Sequence, residues 1–358
     1  MKEKPKVVVT HWIHPDVIEY LSETCDVISN QTRETLPRAE ILQRSKVADA
    51  LMVFMPDIVD QAFLDRCKEL KIIAGAFKGY DNIDVAACTR SGVWFTIVDD
   101  LLTVPAAELA AGLLISLARN ILPGDRLIRS RKFTGWRPVL YGMGLEGRRL
   151  GIVGMGKIGR AIAERLAGFK MIIFYSDPVS LDSRTELDLR IKRAQLDTLL
   201  ATSDFVILAV PLSADSFHLI NEERLGEMKK GSYLINIGRG SVVDEVAVAG
   251  AIKTGGLAGY AADVFDMEDL SRQDRPAKIF PGLLDEKDRT VFTAHLGSAV
   301  DDIRRAIAFL AAENIIEALA GDRPEGAINN PSPVGQRKTG RIDPGIVSHS
   351  TKCKTDSI

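Results

Sequence analysis

Short apolar runs alternate with amphipathic stretches along most of this chain. Before residue 100 the runs Val7–Val9, Val27–Ser29, Ala50–Phe54, Ile72–Phe77 and Trp94–Val98 are separated by helical segments, which reads as a βα repeat. Past residue 149 the alternation resumes with Leu150–Val153, Met171–Tyr175, Phe205–Val210, Tyr233–Ile237, Leu257–Ala262 and Thr290–Thr293. Those strands suffice for a six- or seven-stranded doubly wound sheet. The apolar helix Asp301–Ala320 follows the last strand and is expected to return to the first unit. The first unit is then discontinuous, and a cleft lies between the two. From 331 to 358 the periodicity stops, and Pro, Ser, Gly, Lys and Thr predict a poorly ordered tail in which His349 and Cys353 have no role.

One of these strands leads into a glycine fingerprint. Leu150-Gly151-Ile152-Val153 runs into Gly154-Met155-Gly156-Lys157-Ile158-Gly159, and an amphipathic stretch, Lys157 to Phe169, runs out. Strand, tight turn and helix in that order bind a dinucleotide pyrophosphate. Gly154 permits the turn, Gly156 lets backbone N–H groups approach the phosphates, and Gly159 lets the helix pack close to the strand. The next strand ends at Asp177, whose carboxylate suits both hydroxyls of an adenosine ribose and favours NAD over NADP. Pro178 follows it, and Arg184 is the nearby basic residue in sequence. Pro211 and Asp263, each just past a strand, complete the expected cofactor contacts.

The pattern therefore predicts an α/β protein of two doubly wound parallel-sheet domains. A Rossmann NAD-binding domain over 101–295 is inserted into a flavodoxin-like substrate domain formed by 1–100 and 296–330. A length of 358 residues suits two such domains. A net charge of −2 offers no basic field for nucleic acid. Cys25, Cys67, Cys88 and Cys353 have no redox or metal spacing, so reduced thiols in a cytoplasmic protein are expected. The apolar helix Pro105–Leu117 carries Glu108 and falls short of the ~20 residues that cross a bilayer. No membrane partner is expected, and no cluster has the spacing of metal ligands.

Three polar residues stand where strands of the second unit end. Arg239 lies in Asn236-Ile237-Gly238-Arg239-Gly240, Glu268 follows Ala262-Asp263-Val264-Phe265, and His295 ends Thr293-Ala294-His295. Ligands of open parallel sheets bind beyond the carboxyl ends of strands, where all three can converge. Alone, each has a plain alternative as a surface cation, a solvated acid or a structural histidine. Together they fit hydride chemistry, with His295 as the base, Glu268 orienting its ring and Arg239 clamping an anionic substrate.

These motifs, in this order, resemble the D-2-hydroxyacid dehydrogenase family over nearly residues 5 to 330. Within that family a narrower similarity is to the members that oxidise phosphite (phosphonate) to phosphate with NAD. Phe54-Met55-Pro56-Asp57, Lys78-Gly79-Tyr80-Asp81-Asn82 and Phe265-Asp266-Met267-Glu268-Asp269 carry it. By that resemblance Lys78 and Gly79 bind the substrate oxyanion, Arg239 clamps it, Met55 lines the pocket, and Arg304 supports the anion or the base. Lys78, Arg239 and Arg304 together supply more positive charge than one carboxylate needs, which suits a phosphite dianion. The chain departs from the narrower pattern at Ala106, Asp177 and Gly238, where Thr, Glu and Cys are expected. The resemblance also implies a homodimer, and the helix Pro105–Arg119, apolar on more than one face, suits burial against another subunit.

Three functions compete. Phosphite oxidation leads; oxidation or reduction of a small 2-hydroxy or 2-keto acid is the alternative with the same residues. A dinucleotide sensor without turnover is the third, and the complete Arg239, Glu268 and His295 set argues against it.

Overall fold

The computed structural model describes residues 3–331, so the expected tail, with His349 and Cys353, lies outside the described residues apart from Pro331. Two parallel sheets form the protein. The first contains β1 (Lys6–Val9), β2 (Asp26–Ser29), β3 (Ala50–Val53), β4 (Ile72–Gly75) and β5 (Trp94–Thr96). Its order is β2-β1-β3-β4-β5, the flavodoxin-like arrangement. The second contains β6 (Arg149–Val153), β7 (Ile172–Ser176), β8 (Ile191–Arg193), β9 (Phe205–Leu208), β10 (Ser232–Asn236), β11 (Leu257–Ala262) and β12 (Thr290–Phe292). Its order is β12-β11-β10-β9-β6-β7-β8, so the fingerprint after β6 sits at the switch between β6 and β9.

Two details differ from the sequence reading. β8 is not expected from the sequence, because only Ile191 of its three residues is buried while Lys192 and Arg193 face solvent at the sheet edge. An edge strand that buries one side chain leaves no apolar run to find. Strands expected to reach Phe54, Phe77 and Val210 stop at Val53, Gly75 and Leu208. Their last apolar residues leave the ladder to build the loops at the carboxyl ends.

Each sheet is covered on both faces, which continuous apolar strands require. On the first sheet Val7, Val9, Ala50, Met52, Ile72 and Ala74 point to one face and pack against Ile307, Ala311, Ala312 and Ile315. Those four come from the helix Asp301–Ala320, about two hundred residues later in the chain. Val8, Leu51, Val53, Ile73 and Phe95 point to the other face.

The fingerprint takes its expected form. Gly154 has φ +92° in the tight turn, and a Cβ on Gly159 would sit 2.1 Å from the Gly154 carbonyl oxygen. A side chain at Gly159 would push the helix Lys157–Leu166 off β6, and one at Gly154 would meet the Ala209 carbonyl oxygen at 2.6 Å.

The helix expected to suit burial against another subunit buries one face within its own subunit. Ala107, Ala110, Leu113, Leu114 and Leu117 of Thr103–Ala118 are buried within the second unit's own core, with Leu150, Ile162 and Ile235. The chain then turns at Asn120, in the left-handed region with φ 53°, and the next helix, Ile121–Arg129, diverges by 64°. Exposed apolar residues instead follow that helix, among them Phe133, Trp136 and Tyr141. Among the described residues no single helix is long and apolar enough to cross a membrane. Cys25, Cys67 and Cys88 are free and buried, and burial pushes the Cys88 thiol up to about 12.

The return of the last helix has a measurable consequence. Ile307→Ala opens a cavity beneath the first sheet and is expected to lower unfolding stability by about 2–5 kcal/mol in denaturant titration. A loss under about 0.5 kcal/mol would show that this helix does not cover that sheet.

Candidate active site

A cleft of about 760 Å³ opens where the carboxyl ends of the two sheets face each other. Met55, Pro56, Phe77, Lys78 and Gly79 line it from the first unit. Gly156, Lys157, Pro211, Arg239, Glu268 and His295 line it from the second. Most residues singled out in the sequence thus converge here.

The histidine is held by two carboxylates with different tasks. His295 Nδ1 lies 2.7 Å from Glu268 Oε2, while Glu268 Oε1 accepts the Phe265 N–H at 2.9 Å. With Nδ1 engaged, Nε2 is the ring nitrogen left to meet a ligand. His295 adopts φ 55°, a left-handed backbone that a non-glycine residue keeps only under constraint. Asp263 supplies that constraint. Its Oδ1 accepts the Thr293 hydroxyl and the Leu296 N–H, both at 2.6 Å, and its Oδ2 accepts the Gly297 N–H at 2.9 Å. The His295 N–H donates to the Asp263 carbonyl oxygen at 2.9 Å. Asp263 is expected among the cofactor contacts; its carboxylate is instead committed to the turn that carries the histidine.

Arg239 crosses the cleft. Its Nε donates to Asp81 Oδ2 of the first unit at 2.7 Å, and its Nη1 donates to the Gly238 carbonyl oxygen at 2.9 Å. The guanidinium lies directly on Gly79, where a Cβ would come within 1.5 Å of Nη2. Only glycine at 79 lets the fork reach the substrate loop. Asn236, at the end of β10, fixes the arginine turn by donating to the Arg239 carbonyl oxygen at 2.8 Å and accepting the Gly238 N–H at 3.1 Å. Asn82 ties the two loops of the first unit together, donating to the Met55 carbonyl oxygen at 2.7 Å. Lys78 also faces the cleft, with Nζ 2.8 Å from Asp99 Oδ1. Sequence reading gave no role to Asp81, Asp99 or Asn236. Asp81 and Asn236 lie inside quoted motifs, whereas no pattern singles out Asp99.

On the cofactor side, Gly156 faces open space with nothing within 4 Å of an added Cβ. It opens the helix Lys157–Leu166, whose first N–H groups are free to take phosphate. Met155 contributes through its backbone, since its side chain is 3% exposed in the core. Its N–H donates to Asp177 Oδ2 at 2.7 Å, and the Val179 N–H donates to Oδ1 at 2.8 Å. The Asp177 carboxylate is therefore held at the end of β7 with one acceptor direction spare on each oxygen. Arg184, the cation the sequence brought into question, is 91% exposed and turned to Asp188. Arg193 of the unforeseen β8 is the cation at this edge, donating to the Asp177 and Pro178 carbonyl oxygens at 2.7 and 3.1 Å. These features fit a dinucleotide along the second sheet with its nicotinamide toward His295.

Arg304 requires a correction. It is absent from the cleft wall and sits behind it, donating to the Ala76 carbonyl oxygen at 3.1 Å with its guanidinium 5.6 Å from the Phe54 ring centre. Its helix covers the first sheet, which keeps the side chain among the strand ends rather than at the substrate loop. Burial lowers its pKa and that of nearby His11. Asp57, 3% exposed, joins this layer; burial raises its pKa, while its Oδ2 accepts the Phe54 N–H at 2.7 Å. These groups support the Met55 turn from beneath. Asp269 lines the cleft, but its carboxylate accepts the Ser241 N–H at 2.7 Å, and burial raises its pKa.

A histidine backed by a carboxylate, a forked cation in the same cleft and an open helix N-terminus can bind an anion, move a proton and hold a dinucleotide. The comparisons agree. The family model "D-isomer specific 2-hydroxyacid dehydrogenase, NAD binding domain" matches residues 111–297. The chain is 39% identical over 332 residues to a glyoxylate reductase of Pyrococcus furiosus, covering 91% of this chain and 96% of that protein. A glyoxylate reductase of Thermofilum pendens is 38% identical over the same length, covering 91% and 95%. Among solved structures, the TT0316 protein of Thermus thermophilus superposes with a TM-score of 0.82 at 33% identity, covering 90% of this chain and all of that one. An NADPH-dependent glyoxylate/hydroxypyruvate reductase of Sinorhizobium meliloti, solved with NADP and malonate, gives 0.78 at 26% identity, covering 91% and 97%. With the family model matching half of the chain and relatives 38–39% identical over nearly all of it, the chain belongs to the D-isomer specific 2-hydroxyacid dehydrogenase family and is an NAD-dependent oxidoreductase.

Proposed function

We propose that this chain interconverts a small 2-keto acid and its 2-hydroxy acid, with glyoxylate the first substrate to test. The observation that carries the reading is the His295–Glu268 pair, with a Nδ1–Oε2 distance of 2.7 Å, lining the same cleft as Arg239. Relatives with this domain pair bear the glyoxylate reductase name. Arg239 and the backbone of the Lys78–Gly79 loop take the carboxylate. His295 Nε2 gives a proton to the carbonyl oxygen during reduction and takes it from the hydroxyl during oxidation. Glu268 stabilises the charged ring and fixes its orientation. A bound nicotinamide supplies or accepts the hydride.

A second reading, phosphite oxidation, is favoured by one observation. The three segments that carry the narrower resemblance all line the cleft, through Met55, Lys78, Gly79, Asp81, Met267 and Glu268. Residues that touch substrate are the ones that set specificity, and Lys78 adds a cation for a dianion. Water is then the nucleophile: His295 takes its proton as oxygen attacks phosphorus, and the hydride lost from phosphorus would pass to a bound nicotinamide.

We also infer a homodimer. The stretch after Ile121–Arg129 exposes Phe133 by 49%, Trp136 by 81% and Tyr141 by 75%, large apolar side chains close in sequence that a second copy of the chain would cover. Sedimentation is expected to give twice the chain mass of 39.1 kDa, and Trp136→Glu to halve it. A monomeric wild type would contradict this.

Purified protein is expected to consume NADH with glyoxylate, with a kcat/KM exceeding that for NADH formation from phosphite and NAD. The reverse order would replace the first reading with the second. His295→Asn is expected to lower kcat about 10²–10⁴-fold while the Kd for NADH, followed by fluorescence, stays within about twofold. Near-normal turnover would remove His295 as the proton carrier.

A further inference from the structure

Every cation lining the cleft already has a carboxylate partner, and one carboxylate serves two of them. Arg239 is paired with Asp81 at 2.7 Å. Lys78 Nζ lies 2.8 Å from Asp99 Oδ1, and Lys157 Nζ lies 2.7 Å from Asp99 Oδ2 and 3.1 Å from Asp100 Oδ1. Lys78 belongs to the substrate loop after β4, and Lys157 opens the cofactor helix. Asp99 lies in the segment that passes from one unit to the other, after β5 and before the helix Thr103–Ala118. The remaining acidic groups on the cleft wall have other partners: Glu268 holds His295, Asp263 the histidine turn and Asp269 Ser241. Hydrogen bonds from Lys157 and Lys78 hold the Asp99 carboxyl below the usual carboxylate range.

We propose that Asp99 is a specificity-determining residue, the counter-charge shared by Lys78 and Lys157 that limits how much negative charge the cleft accepts. The inference rests on the reading of this cleft as the site of a small anion. A fixed charge near a binding site acts on a ligand in proportion to the ligand's own charge. Asp99 opposes a dianion twice as strongly, in free energy, as a monoanion, and so favours a lone carboxylate over a dianion such as phosphite. The pair is partly exposed, with Lys78 at 32% and Asp99 at 54%, so the effect is modest.

The test is calorimetric titration of the NADH-loaded enzyme with acetate and with sulfate, for wild type, Asp99→Asn and Asp99→Glu. Asp99→Asn is expected to tighten acetate about twofold and sulfate about fourfold, the square of the first factor. Asp99→Glu is expected to retain the wild-type ratio of the two affinities. In about 1 M sodium chloride, where charges are screened within a few ångströms, the difference between Asp99→Asn and wild type is expected to vanish. Equal changes for the two anions, a weakening of sulfate, or no measurable sulfate binding by Asp99→Asn would overturn the proposal. Equal changes would mean that Asp99 only shapes the cleft. Turnover of glyoxylate by the wild type judges the proposed activity separately, since a catalyst with an unchanged anion ratio in Asp99→Asn fails only the present inference.

Discussion

The contact on which the site depends is the Arg239 guanidinium laid over Gly79 and paired with Asp81. It joins a loop of the second sheet to a loop of the first, and it requires three conditions at once. Gly79 must lack a side chain, Asn236 must hold the arginine turn, and Asp81 must meet the fork from across the cleft. An arginine so held offers a substrate a fixed direction of approach, because its planar fork is already oriented before the anion arrives. The cost is a competing carboxylate that a substrate must share or displace.

The same logic governs the histidine. A left-handed residue at the end of a strand costs free energy, of order 1–3 kcal/mol, and the Asp263 bonds to three neighbours of the turn offset it. Asp263 orients the backbone, whereas Glu268 orients the ring. Both reach their positions because β11 and β12 are adjacent and parallel, so their carboxyl ends emerge side by side. The sheet thus serves the chemistry by delivering carboxylate and base to one edge, as parallel sheets deliver ligand-binding loops in general.

Much of this was legible in the sequence for a physical reason. Parallel strands buried on both faces are written as apolar runs, and β1, β6, β9 and β11 were visible that way within two residues at each end. The glycine fingerprint was equally plain, since Gly154 and Gly159 meet backbone requirements that other residues do not. β8 was not legible, because an edge strand with two exposed charges has the pattern of a loop. Arg304 was misread for the opposite reason: resemblance supplied a role, and packing against Phe54 and Ala76 withholds it from the cleft. Asp99 left no signal at all. Its importance comes from two lysines that the fold brings to it from 21 residues before and 58 residues after, a convergence that local patterns do not record.

The central claim is that one interdomain cleft binds the anion between Arg239 and His295. A crystal structure with NADH and oxamate, a planar anion that does not accept hydride, addresses it directly. The account predicts the carboxylate within about 3.2 Å of the Arg239 guanidinium and the amide oxygen within the same distance of His295 Nε2. Oxamate bound elsewhere, or in the cleft without contact to either residue, would contradict it.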